Sequence, residues 1–422
     1  MFISKYVKLI RYEKDSIILH NLYNGAIYLL PTEDFNSIVE RMASGNTLEG
    51  NEHINDLLQQ KFIVEEENIP SLCQTIDKFL VTIETTNRCN LNCRYCYEND
   101  QQTRSDISED IISKTLKYIR NVFIADSNMK KVHIGFIGGE PLLRSDIVLF
   151  MCKEIQLLCN EENREVHFHI DTNGSIPFHE IYEDIDHLHI SITLTNRADH
   201  NKNRPGKGFD SFERISSNLR AVHPKEHNTL SLRYNTNDEN IGQFNNFVLY
   251  VKKQFPIVSA IEPMYTDEYY YNQFKNNLRL QDFRQWNSTE AIDTLIENGY
   301  TIGYSLGGVL SHCIAYQKHS CKIYSDGIVT LCDAMFHNAS KLHIDEIYSN
   351  VWNLEHFFSD YKRYNPMDDP KCSQCKEVAI CTGQLFCRSQ PCEYNKKMIN
   401  ELFLKTYIKY FMQGKQSYFI NM

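Results

Sequence analysis

From Phe79 onward, short apolar runs with the twofold rhythm of strands alternate with longer stretches whose apolar residues recur every three or four positions. The strand-like runs are Phe79–Thr85, Lys131–Ile137, Glu165–Ile170, Leu188–Leu194, Leu230–Tyr234 and Val258–Glu262. Helical periodicity predicts helices over Ser108–Phe123, Ile147–Cys159, Phe209–Val222 and Ile241–Gln254. Repeated βα units imply a parallel sheet, open or closed. Ahead of them lies a smaller pattern. Tyr6–Tyr12 and Ser16–Leu19 read as strands, and the turn Tyr23-Asn24-Gly25 leads into a third, Ala26–Leu30. Thr32 is a suitable N-cap for a helix over Glu33–Met42, and a second helix, Glu52–Gln60, precedes the strand-like Phe62-Ile63-Val64. After about residue 300 the rhythm gives way to short, turn-rich segments dense in cysteine.

A chain of 422 residues exceeds one ordinary core. The patterns divide it into residues 1–70, 78–300 and 305–422. No run of about 18 apolar residues is present, and no basic segment followed by an apolar one opens the chain, so a soluble cytoplasmic protein without a membrane partner is expected. The net charge of −10 argues against nucleic acid as a partner.

The 14 cysteines change the picture. In a chain this large they point to metal rather than to a disulfide scaffold. Cys89, Cys93 and Cys96 form a CxxxCxxC run expected by chance only about 0.015 times in such a composition. Three thiolates leave one iron of a cubic cluster open to another ligand. Zinc is the alternative, although its sites mostly use CxxC pairs closed to four ligands.

With Tyr95 before its third cysteine, this motif resembles the radical S-adenosylmethionine (SAM) superfamily, and six βα units match the partial (β/α)6 barrel of that fold. The resemblance implies a [4Fe–4S] cluster whose open iron chelates SAM, and an electron donor such as flavodoxin or ferredoxin. It carries the SAM amino group to Gly138-Gly139-Glu140 at the end of the second strand, and the ribose hydroxyls to Thr172 and Asn173 at the end of the third. By the same resemblance Ser191 and Arg204 hold the SAM carboxylate. Many relatives have an Asp-Gly pair after the fourth strand, where this chain reads Thr193-Leu194-Thr195.

Two further resemblances bracket the barrel. The pattern His20-Asn21, Asn24-Gly25, helix, Gln60-Lys61-Phe62-Ile63 resembles the winged-helix-like (PqqD-like) domain that recognises leader peptides. Cys313, Gly327, Cys332 and the Cys372-x2-Cys375-x5-Cys381 run resemble the SPASM domain of peptide- and protein-modifying enzymes, which carries two auxiliary [4Fe–4S] clusters. That implies Cys313, Cys321, Cys332 and Cys387 on one cluster and Cys372, Cys375, Cys381 and Cys392 on the other, making three clusters in all. Zinc on Cys372, Cys375 and Cys381 is the alternative. Asp333, directly after Cys332, resembles the general base of anaerobic sulfatase maturases. Cys73, Cys152 and Cys159 fall outside every motif and read as small hydrophobes.

The resemblances together imply a maturase that takes hydrogen from a ribosomally made precursor peptide, leader plus core, to form a thioether or carbon–carbon cross-link. The competing expectations are oxidation of Ser or Cys to formylglycine, motivated by Asp333, and a non-enzymatic peptide-binding module containing zinc.

Overall fold

The computed structural model describes residues 1–48, 50–67, 78–96, 105–266, 274–304, 314–332, 341–359, 366–379 and 401–421. They fall into two compact units: Met1–Gln74 with Gly303–Cys313 and Arg363–Met422, and Thr75–Ile302 with Ile314–Lys362. Among the described residues no helix is long and apolar enough to cross a membrane.

In the first unit β1 (Phe2–Ile3) pairs antiparallel with β5 (Ile63–Val64), and β2 (Val7–Tyr12), β3 (Ser16–Asn21) and β4 (Ile27–Pro31) form an antiparallel sheet. Alternation gives this sheet two apolar faces. Val7, Leu19 and Leu30 pack against α1 (Thr32–Ala43) and α2 (Ile54–Gln59) through Phe35, Ile38 and Leu57. Tyr6, Ile10, Ile18 and Leu22 on the other face pack with Val378, Leu404 and Ile408, with Cys372 and Cys375 alongside. A second apolar face needs cover of its own, which explains why the chain beyond Arg363 belongs to this unit. The turn motif is drawn together as well: Asn21 Nδ2 donates to the Gln60 and Lys61 carbonyls (3.1 and 2.9 Å), and Asn24 Nδ2 to that of Gln60 (2.9 Å).

The second unit is built on a parallel run of six strands: β6 (Lys78–Thr86), β7 (Lys131–Gly138), β8 (Glu165–Thr172), β9 (Leu188–Thr193), β10 (Thr229–Thr236) and β11 (Ala260–Tyr265). Between them lie α3 (Glu109–Ala125), α4 (Ser145–Glu161), α5 (His179–Asp184), α6 (Arg197–Asn203), α7 (Ser211–Arg220) and α8 (Phe244–Gln254). The short α5 and α6 are absent from the sequence reading because neither is long enough to show an apolar stripe. The last strand runs past Pro263, where the pattern had ended it. Because β11 is an edge strand among the described residues, a missing N–H costs it no pairing. Beyond β6 the sheet continues with Cys321–Ile323, parallel to β6, and then antiparallel Ile328–Thr330 and Leu342–His343, nine strands among the described residues.

Each parallel strand buries one set of alternating residues, such as Val166, Phe168 and Ile170, and turns a polar set the other way. This polar face holds Thr82, Glu84, His133, His167, His169, Asp171, His189, Ser191, Ser231 and Arg233. The His133 and His167 rings stack at 5.2 Å and those of His169 and His189 at 5.0 Å, beside a cavity of about 430 Å3. Burial, aided by Lys78 and His167, pushes His133 down to about 4, and burial, aided by His169, does the same to His189. The fold thus favours both rings neutral, and the unfolded chain takes up more protons between pH 4 and 6.5. Stability is complete above pH 6.5 and falls as the pH drops toward 4. After allowance for solvent screening the loss is about 1 kcal/mol per ring, or about 4–8 °C in Tm for the pair between pH 7.5 and 4.5. Calorimetry across this range checks it, and His133→Leu should remove about half of the slope.

Candidate functional site

The loop from Asn87 to Cys96 leaves the end of β6 and is fixed from both sides. Arg88 binds Asp106 through Nε and Nη2 (2.7 and 2.6 Å), and Thr86 Oγ1 donates to the same carboxylate (2.6 Å). Across from it, Asn203–Lys207 runs as a strap along the loop. The Arg94 N–H donates to the Asn203 carbonyl (2.9 Å), that of Asn92 to Pro205 (2.9 Å) and that of Lys207 to Asn90 (3.0 Å), while Lys207 Nζ reaches the Cys89 carbonyl (2.8 Å).

Asp199 anchors the strap. Its buried carboxylate accepts from Thr195 Oγ1 (2.7 Å) and from the amides of Asn203, Asn237 and Asn240 (2.9, 3.0 and 3.0 Å). Nothing in the sequence pattern marked Asp199. Thr195, from the stretch that lacks the usual acidic residue, instead ties this later carboxylate to the end of β9.

The Gly138-Gly139 turn closes against the backbone entering the loop. The Gly139 N–H donates to the Thr86 carbonyl (3.1 Å) and that of Glu140 to Arg88 (2.8 Å). Gly138 has φ +143°, and a Cβ there would overlap the Thr86 carbonyl oxygen. A Cβ on Gly139 would stand 2.5 Å from the Arg88 oxygen. Glu140, fully buried, accepts from the Leu142 N–H (3.0 Å), Thr172 Oγ1 (2.6 Å) and the Asn173 N–H (2.7 Å). Burial raises its pKa against the pull of these bonds. Asn173 Nδ2 in turn donates to Asn90 (2.9 Å) and lies 3.7 Å from Cys89 Sγ. Glu140, Thr172 and Asn173 therefore form one hydrogen-bonded brace between the ends of β7 and β8 and the thiol loop.

Arg204 and Ser191 supply donors to this region. Arg204 is buried, its Nη1 is 3.4 Å from the Tyr95 hydroxyl, and its Nε has no partner among the described residues. Burial opposes its charge, but Cys93, Tyr95 and Cys89 outweigh burial and hold its pKa above the ordinary value. Ser191 Oγ is likewise buried without a partner among the described residues. Burial pushes the Tyr95 phenol up to about 12 and the Cys89 thiol up to about 11. A bound metal would reverse the latter, since it binds the thiolate. Tyr95 also meets Phe274 edge to face at 5.4 Å.

Among the described residues no three His, Cys, Asp or Glu side chains converge on a single ion. A cubane does not ask for this, because each thiolate takes a different iron. Of the downstream cysteines, Cys321 and Cys332 sit at one end of the hairpin Cys321–Ile323/Ile328–Thr330. Cys372 and Cys375 flank a turn in the first unit, where the Cys375 N–H donates to the Cys372 carbonyl (2.9 Å). Cys313, Cys381, Cys387, Cys392, Cys73 and Asp333 lie outside the described residues. Cys152 and Cys159 are fully buried along α4.

Residues 83–248 match the family model of the radical SAM superfamily. The chain carries a radical SAM domain. Among relatives, the radical SAM cyclopropyl synthase TigE of Paramaledivibacter caminithermalis is 20% identical, over 91% of this chain and 89% of its own. MJ0907 of Methanocaldococcus jannaschii is 32% identical, but over only 27% of this chain and 36% of its own length. Streptococcus suis SuiB, solved bound to S-adenosylmethionine, shares the fold with a TM-score of 0.54 at 16% identity, over 91% of this chain and 95% of that one. SuiB has also been solved bound to its precursor peptide SuiA, with a TM-score of 0.53 at 15% identity over 90% and 94% of the two chains. Radical SAM domains bind SAM and a [4Fe–4S] cluster, and the donor set of this one fits both. Three thiols share one braced loop, and two buried donors without partners among the described residues, Arg204 Nε and Ser191 Oγ, suit a carboxylate.

Proposed function

We propose that this chain is a radical SAM maturase that modifies a ribosomally made precursor peptide, forming a thioether or carbon–carbon cross-link. The carrying observation is that its likeness to TigE extends over 91% of the chain, well beyond the radical SAM domain itself. The SuiB complex with a precursor peptide supports the choice of substrate class.

In this reading Cys89, Cys93 and Cys96 would hold a [4Fe–4S] cluster by three thiolates, leaving one iron open to SAM. When bound, the reduced cluster and SAM supply a 5′-deoxyadenosyl radical. Arg204 and Ser191 orient the SAM carboxylate, the Gly138-Gly139-Glu140 turn lets the methionine end approach the backbone, and Thr172 and Asn173 face the ribose. The Thr172 hydroxyl proton is committed to Glu140 and one lone pair to the Gly174 N–H, so the remaining lone pair is what it offers a ribose hydroxyl. Cys313, Cys321, Cys332 and Cys387 ligate one auxiliary cluster and Cys372, Cys375, Cys381 and Cys392 the other, in a SPASM-type arrangement. A flavodoxin or ferredoxin supplies electrons. A leader segment adds a strand to the sheet of β2, β3 and β4, whose outer strands are each paired on one side only among the described residues.

Co-expression with the short reading frame beside the gene, followed by mass spectrometry of its peptide, tests the proposal. A loss of about 2 Da per cross-link is expected. An unmodified peptide, or a gain of about 1 Da from heavy water, which marks epimerisation, would overturn it.

A further inference from the structure

Glu84, on the polar face of the sheet, has no part in the roles above. It lies on β6, five residues before Cys89, and is 1% exposed. Ser325 grips one oxygen, donating to Oε1 from Oγ (2.7 Å) and from its N–H (3.3 Å). The other, Oε2, is buried with no partner among the described residues. Such an atom keeps its desolvation cost until a ligand completes it. Its position suits a ligand of this site, because a Cβ on Gly138 would stand 3.2 Å from Glu84 Cγ. Burial raises the Glu84 pKa, with Asp326 adding to the rise and Ser325 and Lys322 opposing it. From Oε1 a chain of hydroxyls leads outward: Ser325 Oγ lies 3.1 Å from Ser105 Oγ, and Ser105 is half-buried.

We propose that Glu84 is the base that takes a proton from the substrate peptide, and that Ser325 and Ser105 pass this proton to solvent. The inference rests on the maturase reading. Joining two peptide atoms removes two hydrogens. One leaves as an atom to the 5′-deoxyadenosyl radical, giving 5′-deoxyadenosine. The other leaves as a proton to Glu84 Oε2, and its electron passes to an iron–sulfur cluster of the cysteine-rich segments. One peptide bond partner is thereby joined to the other, and the atoms and electrons balance. Asp333, the base suggested by the sequence, lies outside the described residues.

The test measures cross-linked peptide and 5′-deoxyadenosine in the same reactions, with the precursor encoded beside the gene. Glu84→Gln keeps the shape and the acceptor for Ser325 but cannot take the proton. It should lower product about 100-fold and raise the ratio of 5′-deoxyadenosine to product at least about 30-fold. Glu84→Asp should recover part of the product, and Ser325→Ala should lower it about fivefold. Wild-type product yield from Glu84→Gln overturns the inference alone, whereas a wild-type enzyme that converts no peptide overturns the maturase reading and the inference with it. Iron content and a melting curve identify a misfolded Gln variant, in which case Glu84→Asp and Ser325→Ala decide: an unchanged product ratio in both overturns the proposal.

Discussion

Cys93→Ala is expected to lower reductive cleavage of SAM by about a thousandfold or more, because a cubane deprived of one of three protein thiolates is not retained in a form that offers SAM a single open iron. The fold should survive the change. The loop that carries Cys93 is held by backbone bonds from Asn92 and Arg94 to the strap and by the Arg88–Asp106 pair, none of which uses the thiol. Arg204, whose charge Cys93 helps to sustain, would lose that partner but keep Tyr95. The expected signature is a melting temperature near that of wild type, iron reduced by about one cluster's worth, and no 5′-deoxyadenosine after anaerobic reduction. Cys152→Ala gives the contrast. This thiol is fully buried on α4, so its loss should cost about 1 kcal/mol in stability and leave SAM cleavage in place. Cleavage retained by Cys93→Ala would remove the loop from the cofactor site.

Gly138→Ala should produce the second large effect, by a different route. The residue combines φ +143° with a Cβ position already filled by the Thr86 carbonyl oxygen, so the added methyl forces the turn away from the strand end. Backbone strain and overlap together should cost about 3 kcal/mol or more, read as a fall in the urea midpoint at unchanged slope. The displaced turn also breaks the bonds from the Gly139 and Glu140 N–H groups to Thr86 and Arg88, so the KM for SAM should rise as well. At Gly208, by comparison, φ is +87° and nothing lies within 4 Å of an added Cβ. Gly208→Ala should therefore cost about 1 kcal/mol, the backbone preference alone.

What could be read from the chain and what could not divide along physical lines. The thiol loop and the Gly138-Gly139-Glu140 turn are local in sequence, so both motifs stand out without a fold. The strands of the parallel sheet are visible for a related reason, since each carries its own apolar rhythm. The strand Cys321–Ile323 is too short for any rhythm and acquires its pairing from β6, some 240 residues earlier in the chain. Asp199 sits in a polar helix of seven residues and becomes a hub only when Thr195, Asn237 and Asn240 are folded around it. Glu84 was concealed by alternation itself: a polar residue in a half-buried strand reads as facing water, whereas Ser325 holds one oxygen of this one and leaves the other without a partner among the described residues. The stacked histidines were hidden likewise, because their neighbours lie on adjacent strands.

The strap has a consequence for how such a protein can change. Asp199 holds Asn203, which fixes Arg94 and with it the thiol loop, and the same carboxylate holds Asn237. Asn203, Asn237 and Arg94 are also walls of a cavity of about 470 Å3, with Lys202, Asp238 and Glu239 among its other lining residues. A mutation that reshapes this cavity for a new guest also pulls on the mounting of the thiols. Drift in what the cavity admits and upkeep of the thiol loop are thus selected through a single acid, and engineering that begins at Asn237 will need a compensating change at Asp199 or Thr195 before the new cavity can be used.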